Sequence, residues 1–286
     1  MKLVLGTVQL GLNYGINNSA GKPSLKTAFD IINRSYELGI DEIDTADAYG
    51  EAVSIISTYL SQNPNQKFKV MSKFIGNDDM SYREAFDQSC KKLGLESLDG
   101  YYFHRFQDFK KFCDFDYIQD LKRESRLGKF AVSLYSIEEL ELAIDSNEVD
   151  VIQLPLNIFD RSEEKVDLLK RAHSKNKLIY VRSVFLQGLF FKNVNNLPPK
   201  LYPLRSALIE LYHLVDAYKV DMEDLCLKYV LDLSFVDKVI IGVDSVTQLE
   251  RNVKSITSKI PDELIDRVLK IKINNPELLN PVNWND

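Results

Sequence analysis

Four side chains in the N-terminal part of the chain have types and spacing that suit proton chemistry. Asp44 closes the run Ile43-Asp44, Tyr49 follows five residues later, Lys73 closes Val70-Met71-Ser72-Lys73, and His104 closes Tyr102-Phe103-His104. A free phenol has a pKa near 10, too high for easy proton exchange at neutral pH, and a neighbouring ammonium favours the phenolate. Lys73 is placed to supply that field, with Asp44 holding the ammonium charged. His104 offers a hydrogen bond to the oxygen of a carbonyl substrate. A lone histidine at a strand end says little, but four such groups in register on consecutive units say more.

Positioning them requires strands that end at one surface. Short apolar runs rich in Val, Ile, Phe and Tyr occupy residues 3–8, 41–44, 68–74, 101–104, 130–134, 149–156, 178–182 and 239–243. They are apolar throughout, as parallel strands covered on both faces are. Between them lie segments of helical spacing such as Leu25, Ala28, Ile32 and Tyr36, with Ser24, Ser81 and Ser136 standing where N-caps belong. Eight strand-helix units predict a single (β/α)8 TIM barrel over residues 1–286, with ionisable groups converging at the C-terminal face of the strands. A dinucleotide-binding glycine fingerprint is missing, since Gly11, Gly15 and Gly21 are too widely spaced, and the first strand is expected to enter an Asn/Gly-rich loop.

Composition narrows the partners. Thirty-six Lys and Arg against 42 Asp and Glu give a formal charge of −6, with no basic tract for nucleic acid or anionic membrane. The longest apolar run falls short of the ~20 residues of a membrane helix, and the N-terminus lacks a secretory pattern, so a cytoplasmic location is expected. Cys90, Cys113 and Cys226 have spacings that suit neither a disulfide framework nor zinc, and no metal is expected. Residues 190–203, with three prolines and three asparagines, read either as an irregular connection or as a lid. The segment 105–115 reads as a loop, and His173 and His213 lie on helices away from the strand ends.

The stretch Gly39-Ile40-Asp41-Glu42-Ile43-Asp44-Thr45-Ala46-Asp47-Ala48-Tyr49-Gly50 resembles the G-x-x-x-x-D-T-A-x-x-Y-G signature of the aldo-keto reductase family. Leu5-Gly6-Thr7, Met71-Ser72-Lys73 and Phe103-His104 extend the resemblance, which runs over most of the chain. It implies metal-free hydride transfer between NAD(P)H and an aldehyde or ketone. Asp44, Tyr49, Lys73 and His104 would form the catalytic set, with Tyr49 giving the proton in reduction. The same resemblance places Thr7, Asp44, Ser133, Gln153, Arg182, Ser183, Gly188, Ser245, Gln248 and Asn252 along the cofactor. Val8, Tyr14, His104, Phe185 and Trp284 would wall a comparatively open substrate pocket.

Departures from the family pattern carry their own expectations. Leu134 follows Ser133 where an asparagine is common, and Arg182 occupies the place of an aromatic that stacks on nicotinamide. Asp244 stands near the expected 2'-phosphate position, which tilts the expectation toward NADH or dual use, while Arg251 or Lys254 could still hold that phosphate. The N-terminal run from Leu5 to Gly15 resembles a subgroup associated with bacterial surface polysaccharides, implying a sugar-derived carbonyl. Two rivals remain: a Schiff-base lyase or aldolase using Lys73 as nucleophile, and a nucleotide-sensing regulatory protein with little turnover.

Overall fold

The apolar runs become strands because each must be covered on both sides, and a closed barrel does this without leaving an edge. The structure, a computed structural model, describes residues 1–284. Its strands are β1 (Leu3–Gly6), β2 (Glu42–Asp44), β3 (Lys69–Phe74), β4 (Leu98–Phe103), β5 (Leu127–Ser133), β6 (Val151–Pro155), β7 (Leu178–Arg182) and β8 (Lys238–Gly242). They form one closed parallel barrel in chain order. Leu5 of β1 aligns with Ile43 of β2 on one side and with Ile241 of β8 on the other, which completes the ring. The expected (β/α)8 barrel is what the chain forms.

Alternation along the strands then decides where chemistry can sit. Val4, Met71, Tyr102, Ala131, Val151, Tyr180 and Ile240 fill the inside of the barrel as one apolar layer. Their neighbours, such as Leu3, Leu5, Val70, Tyr101, Phe103, Val132 and Ile152, face outward into the core shared with the helices. Side chains repeat with period two in a strand. Two residues beyond the interior layer therefore come Gly6, Lys73, His104, Ser133, Gln153, Arg182 and Gly242, and Asp44 holds the matching place on β2. Two residues before it, Glu42 pairs with Lys238 at the opposite end, and the Tyr180 hydroxyl donates to Glu42 Oε2 at 3.3 Å. The barrel is apolar at its waist and polar at both ends.

Helix starts follow the serines. Ser24, Ser81 and Ser136 each accept a backbone N–H three residues on, and Glu84 and Glu139 complete capping boxes at the latter two. Boundaries differ from expectation where local chemistry interrupts a run. β1 stops at Gly6, and a short helix, Val8–Gly11, precedes the Asn/Gly-rich loop. β4 and β5 begin earlier than their apolar runs because Gly100 and Gly128 sit inside them. Both glycines mark close strand contacts: a Cβ on Gly100 would lie 2.9 Å from Met71, and one on Gly128 would lie 2.7 Å from the Asp99 carbonyl oxygen. Residues 105–115 are not a loop. Phe106, Phe109 and Phe112 recur at helical spacing in the helix Phe106–Phe112, where Phe106 is buried. Among the described residues, no helix is long and apolar enough to cross a membrane.

Candidate active site

The site is built from the floor upward. Asp44 is almost fully buried at the end of β2, and burying a carboxylate is costly unless it is paired and hydrogen-bonded. One of its oxygens, Oδ1, accepts the Lys73 ammonium, and the other, Oδ2, accepts Gln153 Nε2 at 2.8 Å. Lys73 Nζ also donates to the Thr45 carbonyl at 3.0 Å. Thr7 ties β1 to the same strand end, its hydroxyl donating to the Asp44 carbonyl at 3.0 Å. Burial pulls the Lys73 pKa down and Asp44 opposes that pull.

Tyr49 reaches this floor from the loop after β2. That loop can pack against the helix Val8–Gly11 only because Gly11 has no side chain: a Cβ there would lie 1.8 Å from the Tyr49 carbonyl oxygen and 2.5 Å from the Ala52 nitrogen. Gly50, at φ +56°, completes the turn in the left-handed region. Lys73 Nζ lies 5.0 Å from the centre of the Tyr49 ring, and the Tyr49 and His104 rings meet edge to face at 5.7 Å. The electrostatics correct one expectation. The Tyr49 hydroxyl is not shifted toward phenolate; burial raises its pKa, the Asp44 charge raises it further, and Arg182 pulls the other way. Tyr49 therefore holds its proton. His104 is lowered to about 3, by burial first and then by Lys73, Arg182 and Arg105, so its imidazole is neutral, and its Nδ1 is buried without a partner.

Above the floor opens a cavity of about 620 Å³, within the range of small-molecule sites. Thr7, Val8, Tyr14, Asp44, Tyr49, His104, Ser133, Gln153, Arg182, Ser183, Phe185, Gly188, Gln248 and Asn252 all line it, as do Asp244 and Arg251. Three expected residues do not. Lys73 lies beneath, bonded to Asp44 and set under the Tyr49 ring. The Ser245 hydroxyl is committed as the cap of the helix Val246–Lys254, accepting Gln248 N–H. Trp284 turns its indole N–H to the Leu278 carbonyl at 2.8 Å, and its neighbours Pro281 and Val282 reach the wall instead. The aliphatic pair forms the rim because the last turn, Pro281–Trp284, points the ring back toward the protein core.

Enclosure comes from an unexpected element. Of residues 190–203 only Phe191 touches the cavity, and the segment is folded into short helical turns. The loop after β1 crosses the mouth instead. Ile16 N–H donates to the Gln187 carbonyl at 3.0 Å, Lys192 Nζ to the Ile16 carbonyl at 3.0 Å, and Asn18 Nδ2 to Asp244 Oδ1 at 3.4 Å. Its partner segment after β7 is tightly wound, with Ser183, Leu186, Gln187 and Gly188 all at positive φ. Gln9, Asn17, Asn18, Tyr135, Gln187 and Glu223 also line the cavity, and none of them is singled out by sequence motifs. The asparagines stand in the loop marked as Asn/Gly-rich, whereas Glu223 comes from a helix between β7 and β8 and has no local signal.

Residues 2–273 match the model of the aldo/keto reductase family. The chain belongs to that family. It is 24% identical to a D-arabinose 1-dehydrogenase of Saccharomyces cerevisiae, over 87% of this chain and 80% of that one. An aldo-keto reductase of Strobilurus tenacellus is 21% identical, over 93% and 86% of the two chains. Among solved structures, a glycerol dehydrogenase of Gluconobacter oxydans superposes with a TM-score of 0.70 at 21% identity, covering 100% of this chain and 94% of that one. As an aldo-keto reductase the protein is an oxidoreductase of carbonyl and alcohol groups, and NADP use is typical of the family.

Proposed function

We propose that this aldo-keto reductase uses NAD(P)H to reduce an aldehyde or ketone to an alcohol, with Tyr49 as proton donor. The observation that carries the reading is the convergence, in one cavity, of a protonated Tyr49, a neutral His104 and the Asp44 carboxylate that Lys73 and Gln153 hold from below. The nicotinamide cofactor supplies the hydride when bound. This chain's residues do the rest. Tyr49 carries the proton that the new alkoxide oxygen needs, and His104, neutral at working pH, can orient that oxygen through its N–H. Lys73 and Arg182 place positive charge beside the phenolate that remains after transfer.

The wall fits a dinucleotide. Gln153 Oε1 and Gln9 Oε1 are buried without hydrogen-bond partners, so each offers an acceptor to an amide or hydroxyl donor. Gly242 leaves room there that a Cβ would fill, since it would collide with the Gln9 side chain at 2.2 Å. Ser133 and Gln153 would take the carboxamide, Ser183 to Gly188 the pyrophosphate, and Gln248 and Asn252 the adenosine end. Half-buried Asp244 faces the cavity between them, which favours NADH or dual use by repelling a 2'-phosphate. A sugar-derived carbonyl is the proposed substrate, in keeping with the arabinose and glycerol dehydrogenases that resemble this chain.

The test is Tyr49→Phe. Carbonyl reduction should fall by several orders of magnitude while the cofactor dissociation constant stays within about threefold, because a proton donor is lost and not a binding contact. Retention of most turnover would refute Tyr49 as the acid. Reading Lys73 as a Schiff-base nucleophile fits less well, since its side chain is 1% exposed and its ammonium is bonded to Asp44 and the Thr45 carbonyl.

A further inference from the structure

We infer that the substrate of this cavity is an anionic carbonyl compound, and that Arg182 is the residue that recognises its negative group. The inference rests on the reductase reading above and names the substrate class of the same site. Arg182 ends β7 two residues beyond Tyr180 of the interior layer, so it rises on the same inward face as His104 does beyond Tyr102. It lines the cavity and is near enough to act electrostatically on Tyr49, His104 and Tyr14.

Its guanidinium is held but not satisfied. The guanidinium carbon sits over the Tyr135 ring, 4.3 Å from its centre, a cation–π contact that helps hold the group in place. Among the described residues its hydrogen bonds are two long ones, to Ser183 Oγ and to the Leu134 carbonyl, both at 3.4 Å. Five N–H donors are available on such a group. Among the described residues no carboxylate lies within ion-pair distance of it. The nearest catalytic carboxylate, Asp44, is already taken by Lys73 and Gln153. A partly buried arginine with free donors, resting on an aromatic ring and lining a candidate catalytic cavity, is suited to a carboxylate or phosphate.

Matched pairs of substrates test this: glyoxylate and acetaldehyde, succinic semialdehyde and butanal, glucuronate and glucose for the carboxylate arm, and glyceraldehyde 3-phosphate and glyceraldehyde for the phosphate arm. The expected result is a kcat/KM at least about tenfold higher for the anionic member of at least one pair, carried by KM. Arg182→Gln should collapse that ratio toward one; any effect of the variant on cofactor binding cancels within the ratio. Independently of any variant, the wild-type KM for the anionic member should rise between about 0.01 and 1 M salt while that of its neutral partner stays flat. Which arm responds separates carboxylate from phosphate. Neutral carbonyls reduced as well as or better than all their anionic partners would overturn the inference and leave the reductase reading intact. The inference is equally overturned if Arg182→Gln alters the cofactor dissociation constant but leaves the substrate ratio unmoved. Failure to reduce any carbonyl would overturn both.

Discussion

Burial decides how each residue of the site behaves, and it moves two of them in directions that favour carbonyl reduction. Tyr49 stays protonated because the cavity offers its phenolate little solvent and Asp44 repels the charge, as the proposed proton donor must be across the neutral range. His104 stays neutral for the same reason, with cations around it adding to the effect. This has a consequence for stability. An unfolded chain protonates this imidazole near pH 6.5, while the folded protein holds it neutral to about pH 3. Between those values the unfolded state binds the extra proton, so this residue lowers stability progressively as pH falls through that window. His104→Gln should show a shallower decline of its urea midpoint between pH 6.5 and 4 than the wild type. Parallel declines would mean that the imidazole is not held neutral in the fold.

At the scale of elements, the β2 loop and the helix Val8–Gly11 form the joint that sets the position of Tyr49. Backbone meets backbone there, and no side chain can yield to relieve a clash. Gly11→Ala should therefore push the loop outward, lowering thermal stability by about 1 to 3 kcal/mol and kcat by tenfold or more, since a shift of about 1 Å at a reacting group can cost roughly 10²-fold. Measured kcat unchanged in a folded Gly11→Ala protein would show that the joint does not place the phenol. The signature glycine, Gly50, is visible in the sequence as part of a motif, but Gly11 is visible only as a member of an absent fingerprint. The difference is physical. A motif glycine in a tight turn leaves a local trace in residue type, whereas a close approach between two segments is known only once both are placed. The same holds for Phe106, Phe109 and Phe112, whose helical spacing is present in the sequence but is obscured by the expectation that a strand end opens into a loop. It holds too for the cover of the cavity, formed by the β1 loop bonding to residues far along the chain.

Over the whole molecule, period-two alternation and barrel closure carry most of what the sequence could reveal. Once eight apolar runs are parallel and closed, the residues two places beyond the interior layer must meet at one mouth, and the strand-end residues Asp44, His104, Ser133, Gln153 and Arg182 do so. Residues off the strands are legible only through the family resemblance, and there the placement is uneven: Gln248 and Asn252 line the cavity, Ser245 and Trp284 do not. The assembled cavity also has a polarity that the overall charge of −6 conceals. Its catalytic end is cationic, because among the described residues Arg182 has no carboxylate while Lys73 is balanced by Asp44; its far end holds Glu223 and Asp244 against Arg251, which lies 3.9 Å from Glu223. If the adenosine end lies there, as proposed, its additional phosphate meets net negative charge, so Asp244→Asn should tighten NADPH by roughly tenfold and NADH by much less. Fluorescence titration of both reduced cofactors against wild type and variant measures this directly. A wild-type protein that already binds NADPH much more tightly than NADH would mean that Arg251, rather than Asp244, governs the adenosine end.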